Sequence, residues 1–288
     1  MEIKTGDIVT RLSYKCDLLF RVRAITGDIA ELTGKDMRLL ADAPLEDLKL
    51  IGKKEQHERQ KKAKEKEEHS YRLFRQDAKL MRQRNEFEVS DGYYGEASYF
   101  ELRGRVLHID GDSSYLQKCI HLYDRVGIPV YGVHLNEKEM PEQIGSLLEM
   151  VQPDIVVITG HDAYLKTKGD KDDLKAYRHT KYFAECVRIA RKHIANKDQL
   201  IIFAGACQSH FKTLIKAGAN FASSPERINI HALDPVYIAA RTSMTPFTER
   251  ISLWEILRNT ITGEKGLGGV ESRGVMRRGI PLKQEDLS

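Results

Sequence analysis

The sequence has only four cysteines among 288 residues, Cys16, Cys119, Cys186 and Cys207, and they lie far apart with no C-x-x-C. That scarcity argues against a disulfide framework or a zinc knuckle and for a reducing compartment. No apolar run approaches the roughly 20 residues of a membrane span; Ile155-Val156-Val157-Ile158 and Leu200-Ile201-Ile202-Phe203-Ala204, the longest, are strand-sized. The start lacks a basic segment followed by an apolar one, so no secretory signal is expected. Neither charge sign dominates, since 46 Lys and Arg face 42 Asp and Glu for a net +4. A strongly basic nucleic-acid binder and an acidic solvating chain are both disfavoured. A mean hydropathy of -0.46 with 41% hydrophobic residues fits a globular protein that includes one polar, extended segment. The length suits two domains or one large α/β domain.

The polar segment is residues 53–88, which contain no Pro or Gly and hold twelve Lys and Arg against eight Asp and Glu. It therefore carries the whole +4. Interspersed opposite charges in good helix formers predict an exposed helix supported by i,i+4 pairs. Tyr71, Phe74, Ala78 and Met81 follow a 3-4-3 spacing, an apolar seam of about two heptads, shorter than the roughly three to four a coiled coil needs. A spacer helix docked by one stripe on a neighbour is expected. Before it, residues 1–52 alternate short apolar runs, among them Leu18-Leu19-Phe20 and Met37-Arg38-Leu39-Leu40, with turns at Gly6, Gly27-Asp28 and Gly34. This pattern predicts a small SH3-like antiparallel barrel, a module that binds or packs. Residues 89–103, with Gly92 and Gly95, read as a boundary loop, and the glycine-rich 263–288 as a flexible tail.

Between them, 104–262 repeat strand then helix. Strands are expected over 105–110, 129–135, 154–159 and 200–204, with helices over 114–126, 141–151, a stretch carrying Phe183, Ala184, Val187, Ala190 and Ile194, and 209–217. Such alternation gives an α/β fold, a parallel sheet with helices on both faces, whose ligands sit at the carboxyl ends of the strands. The residues just past those ends are Asp110 and Asp112, His134, His161 and Cys207. Cys207 closes a strand and leads into a helix whose N-terminus would favour a thiolate nucleophile; a small buried hydrophobe is the alternative. His161 closes the preceding strand, and a right-handed β-α-β unit brings the two side chains to adjoining strands. An imidazole there can take the thiol proton and protonate a leaving amine, whereas a lone histidine would be structural. Cys16, Cys119 and Cys186 read as packing, as does His108.

Thr159-Gly160-His161 and Gly205-Ala206-Cys207 resemble the caspase-like (clan CD) cysteine peptidases, where one apolar strand ends in the catalytic His and the next in Ala-Cys. Those enzymes have His-Gly where this chain has His161-Asp162. Longer strings, Val106-Leu107-His108-Ile109-Asp110-Gly111-Asp112, Phe203-Ala204-Gly205-Ala206-Cys207-Gln208-Ser209-His210-Phe211 and His231-Ala232-Leu233-Asp234-Pro235-Val236-Tyr237, resemble the YabG family of sporulation-specific proteases of Firmicutes. The resemblance implies a caspase-like fold and a cysteine endopeptidase that cuts spore-coat and spore morphogenetic proteins near Arg. It implies work in the mother-cell cytoplasm with association to the coat, without cofactor, metal, nucleic acid or membrane. Cys207 and His161 would be catalytic, with backbone amides near Gly160 and Cys207 holding the oxyanion. A scissile-position arginine needs a carboxylate, since a buried unpaired guanidinium costs several kcal/mol. Asp110 and Asp112 lead, Asp162 and Asp234 follow, and turn chemistry with helix capping competes for Asp110-Gly111-Asp112.

Three other readings stand beside it. A glutamine-amidotransferase-like hydrolase would use Cys207 with the later His231. A metal site could draw on Cys207, His210, His134 and His108, although one C-x-x-H is a weak signal. A coat-assembly scaffold would leave the α/β unit inert. Ser272-Arg273-Gly274 offers a site for self-cleavage. Oligomeric state has no signal in the sequence.

Overall fold

The computed structural model describes residues 2–89 and 100–279, with side chains described for all but 85–89. Gly27, at φ 58°, opens a two-residue turn, and such turns break the first fifty residues into β1 (Ile8–Arg11), β2 (Phe20–Thr26), β3 (Ile29–Gly34), β4 (Leu40–Pro44) and β5 (Leu48–Leu50). They form one antiparallel sheet in the order β4-β3-β2-β1-β5. Along β2 and β3 burial alternates, with Phe20, Val22, Ala30 and Leu32 inside, and Val9 of β1 joins them. The run Met37-Arg38-Leu39-Leu40 was expected as one strand. Strand β4 instead starts at Leu40, and residues 35–39 cross to the other sheet, with Met37 bridged to His231 and Leu39 to Asp162. Those bridges lie beyond the reach of local sequence pattern.

Helix α1 (Lys53–Val89) has 37 residues, and its seam docks as expected: Phe74 and Met81 are buried, and Phe74 packs on Tyr237 with ring centroids 5.5 Å apart. The boundary loop expected at 89–103 lies mostly outside the described residues. Beyond it come β6 (Phe100–Leu102), β7 (Val106–Asp110), α2 (Ser113–Val126), β8 (Val130–His134), α3 (Met140–Val151), β9 (Ile155–Thr159), α4 (Thr180–His193), β10 (Ile201–Ala204), α5 (Phe211–Ala217), β11 (Phe221–Ser223) and α6 (Asp234–Met244). After these follow β12 (Arg250–Ile251), α7 (Leu253–Leu257), β13 (Leu267–Gly269), β14 (Ser272–Arg273) and β15 (Arg277–Gly279).

The main sheet has six strands in the order β13-β11-β10-β9-β7-β8, all parallel except β13. Every residue of β7, β9, β10 and β11 is buried, because helices cover both faces. Even-numbered β7 residues such as Val106, with Cys119, Leu122 and Tyr123 of α2 and Val236 of α6, form a core continuous with that of the N-terminal sheet. Odd-numbered ones, Leu107 and Ile109, pack on Ile144 of α3, Phe183 of α4 and Leu214 of α5.

The C-terminal expectation is corrected. Residues 267–279 are not a loose tail: β13 pairs with β11 in the main sheet, β14 with β12, and β15 with β6. Glycine suits β13 because a Cβ on Gly269 would sit 2.3 Å from the Asn220 carbonyl oxygen. The Arg273-Gly274 bond offered for self-cleavage lies at the end of paired β14.

Candidate active site

Parallel pairing brings the carboxyl ends of β7, β9 and β10 side by side, with Asp110 opposite Thr159 and Ile158 opposite Ala204. Thr159 Oγ1 donates to Gly205 O at 3.0 Å across this edge. Chain positions 110, 161 and 207 therefore open on one rim, as the strand-end rule predicts. Gly205 has a φ of 110°, and a Cβ there would meet Ser223 Oγ at 2.4 Å, so the turn before the cysteine requires glycine.

Cys207 is fully buried. Its backbone N–H donates to Arg38 O at 3.3 Å, and its thiol lies against Ile230, donating to the carbonyl at 3.5 Å and accepting from the N–H at 3.3 Å. Burial pushes the thiol up to about 12, against the lowering expected from a helix N-terminus. Desolvation wins because α5 starts only at Phe211.

His161 is 4% exposed and sits between two carboxylates, with Nε2 3.3 Å from Asp112 Oδ2 and Nδ1 3.5 Å from Glu137 Oε1. Glu137 also accepts the His161 backbone N–H at 2.8 Å. Burial opposes a charged ring, but the two carboxylates outweigh it and push the pKa up to about 9. The ring is an imidazolium at neutral pH. Because its folded value stands above the ordinary 6.5, this pairing stabilises the fold fully below 6.5 and is lost as pH rises through about 9. Thermal unfolding between pH 6 and 10 is expected to show Tm falling across that window in the wild type and flattened in His161→Gln; identical slopes would refute the pairing.

Glu137 was not among the sequence candidates. The strand-end rule nominated His134 beyond β8, yet His134 is exposed and Glu137, three residues on, turns inward. Glycines make its space: a Cβ on Gly111 or Gly160 would lie 2.2 Å or 2.6 Å from Glu137 Oε1. Those two glycines were the available signal.

The four aspartates part company. Asp112 caps α2, accepting from Tyr115 N at 2.9 Å, and faces His161. Asp162 accepts from Ala163 N, His179 N, Ser209 Oγ and Thr180 Oγ1, which ties its oxygens into the strand-end turns. Asp234 accepts from His231 N, Ile261 N and Thr262 N at the start of α6. Asp162 and Asp234 thus serve the fold. Only Asp110 meets a guanidinium, that of Arg38: Nη1 lies 2.8 Å and 2.7 Å from its two oxygens, with both side chains wholly buried. Burial would raise the Asp110 pKa, but Arg38 holds it well below the carboxylate range.

The wall around this pair comes from residues read as packing. Arg38 Nη2 donates to Cys119 Sγ at 3.4 Å and to Ala232 O at 3.0 Å, and His108 Nε2 lies 3.5 Å from Asp110. His108, Asp110 and Cys119 bring potential ligand atoms within 4.8 Å of one another, but the cation they meet is Arg38. The other proposed metal set is not assembled: His210 Nδ1 is engaged with Thr213 Oγ1 at 2.7 Å, and His134 is exposed. His231, the histidine of the amidotransferase reading, has Nε2 3.3 Å from Glu67 Oε1 on α1.

Residues 4–281 match the family described as YabG peptidase U57. The chain belongs to the YabG peptidase family. Over 288 residues it is 54% identical to the sporulation-specific protease YabG of Bacillus subtilis (strain 168), a match covering 98% of this chain and 99% of that one. No solved structure matches the chain. Membership in the YabG family supports a peptidase role, and the match spans the N-terminal sheet, α1 and the α/β unit together.

Proposed function

We propose that this YabG-family peptidase is a caspase-like cysteine endopeptidase that cuts after arginine, with Cys207 as nucleophile, His161 as acid and base, and Asp110 as the arginine-binding carboxylate. The observation that carries it is an arginine already seated at the sheet edge, its guanidinium on Asp110 and its carbonyl oxygen accepting from the Cys207 N–H. A substrate carbonyl in that position would develop its oxyanion against a fixed donor, worth about 3–4 kcal/mol by mutagenesis of comparable donors. Gly160, the other residue expected near the oxyanion, makes room for Glu137, which turns and holds the His161 ring.

The His161 ring must first release the proton that Asp112 and Glu137 hold on it; in that neutral form it takes the thiol proton of Cys207, and the thiolate attacks the carbonyl carbon. Collapse of the tetrahedral species breaks the C–N bond while the imidazolium protonates the leaving amine, leaving a thioester. Water then loses a proton to His161 and adds to the thioester; its collapse frees the carboxylic acid and restores the thiol. No cofactor enters these steps. The substrates are spore-coat and spore morphogenetic proteins, in line with the sporulation-specific role named for the Bacillus subtilis relative. The site of action is the mother-cell cytoplasm and the coat; among the described residues no helix is long and apolar enough to cross a membrane.

The five-stranded N-terminal sheet and α1 act as a packing module of the SH3-like kind. An amidotransferase-like alternative would need His231, which Glu67 holds. Hydrolysis of an arginyl peptide under reducing conditions by His161→Ala and His231→Ala separates the readings: a loss of at least about a hundredfold is expected for His161→Ala, and loss only in His231→Ala would reverse the assignment.

A further inference from the structure

The arginine on Asp110 belongs to the chain itself, carried by the loop 35–39 between β3 and β4. We infer that this loop is a built-in plug: Arg38 fills the arginine pocket and its carbonyl fills the oxyanion position, keeping the folded peptidase latent until the loop is withdrawn. The inference rests on the reading of Asp110 as that pocket and adds how the site is regulated.

Three observations carry it. First, Arg38 is bound as a recognised residue is bound. Its guanidinium is wholly buried, with Nη1 on Asp110 and both Nε and Nη2 on Ala232 O, at 3.3 Å and 3.0 Å. A buried ion pair is often no better for stability than apolar packing, so the burial is better explained by recognition. Second, the main chain of the loop is held on both sides as a bound peptide would be. Met37 bridges His231, Leu39 bridges Asp162, and Ala232 N donates to Asp36 O at 3.2 Å. Added-strand pairing of this kind is a common way to hold a peptide.

Third, the loop departs from a substrate where cleavage would occur. The Leu39 N–H donates to Met37 O at 2.8 Å, closing a tight turn around Arg38. The nitrogen that would leave is tied back into the loop, and the thiol rests on Ile230 instead of facing a free carbonyl. The plug occupies the pocket without presenting an extended bond. Tyr115 pins it, its one hydroxyl proton shared between Gly34 O and Met37 O, and Glu67 of α1 holds His231, to which Met37 is bridged. Sheet and helix therefore act together as the restraint.

The test measures binding apart from catalysis. In the full chain carrying Cys207→Ala, acetyl-arginine amide is titrated with and without Arg38→Ala. A plug closed in about nine molecules of ten lowers apparent affinity about tenfold, so at least about tenfold tighter binding is expected once Arg38 is removed, and Asp110→Asn should abolish it. Equal binding with and without Arg38 overturns the plug while leaving the pocket; no binding by either chain, each still folded, overturns both. Should Arg38→Ala fold poorly, Tyr115→Phe loosens the loop while keeping Arg38 and Asp110, and a severalfold gain in binding is expected; unchanged binding there counts against the plug. N-terminal sequencing of the catalytically intact chain supplies the last check. A new terminus at Leu39 would make the loop a substrate and overturn its role as a plug.

Discussion

Cys207→Ala is expected to lower hydrolysis of an arginyl peptide by at least about a thousandfold, the scale seen when a nucleophile is removed from a hydrolase. The chain should remain folded, because the exchange removes one buried sulfur from a site whose backbone bonds persist: the residue 207 N–H still meets Arg38 O, and Ile230 keeps its place in the core. Near-native Tm together with lost turnover is therefore the expected pair of results. Turnover retained by the variant would remove Cys207 from the mechanism. The same exchange at Cys186, buried in α4 with its thiol pushed up to about 12, should leave turnover near the wild-type rate.

Asp110→Asn carries the second large effect, on stability and selectivity together. Removing one partner of a buried ion pair typically costs about 3–5 kcal/mol, because the other charge is left uncompensated. For a chain of this size that lowers Tm by on the order of 10 °C. Arg38→Met combined with Asp110→Asn should recover most of the loss, since no unpaired guanidinium then remains. The Asp110 carboxyl is held below its ordinary 3.8, so its contribution is present above that pH and is lost as pH falls through the folded value. Under the proposed function, preference for Arg over an uncharged residue should also vanish in Asp110→Asn. A Tm within about a degree of wild type, with selectivity intact, would contradict both the pair and the pocket.

Local sequence determined a good deal, because period and punctuation are short-range physics. Apolar runs bounded by glycine placed β7, β9 and β10, and the 3-4-3 spacing of Phe74 and Met81 picked the face of α1 that docks. The same period of two put Asp110 on the β7 face that looks toward α2. The strand-end rule then brought positions 110, 161 and 207 to one rim with no knowledge of their contacts. Strings spread along the chain were enough to point to the family.

Other features depended on residues far apart in the chain. A glycine-rich ending reads as loose by composition, but Gly268 and Gly269 are narrow enough to join the sheet edge beside β11, a pairing set by the surrounding fold. Glu137 lies beyond an ordinary strand end, and only the space left at Gly111 and Gly160 turns it onto His161. Asp112, Asp162 and Asp234 are chemically equal to Asp110 as text; their capping partners separate them. Arg38, on the loop between β3 and β4, and Asp110, at the end of β7, stand 72 residues apart. Periodicity carries no information over that distance, so the sequence by itself determined which strands and helices form and which side chains reach the rim. Tertiary packing alone decided that an arginine from the loop between β3 and β4 would be the cation on Asp110, because only a closed fold can desolvate both charges against each other.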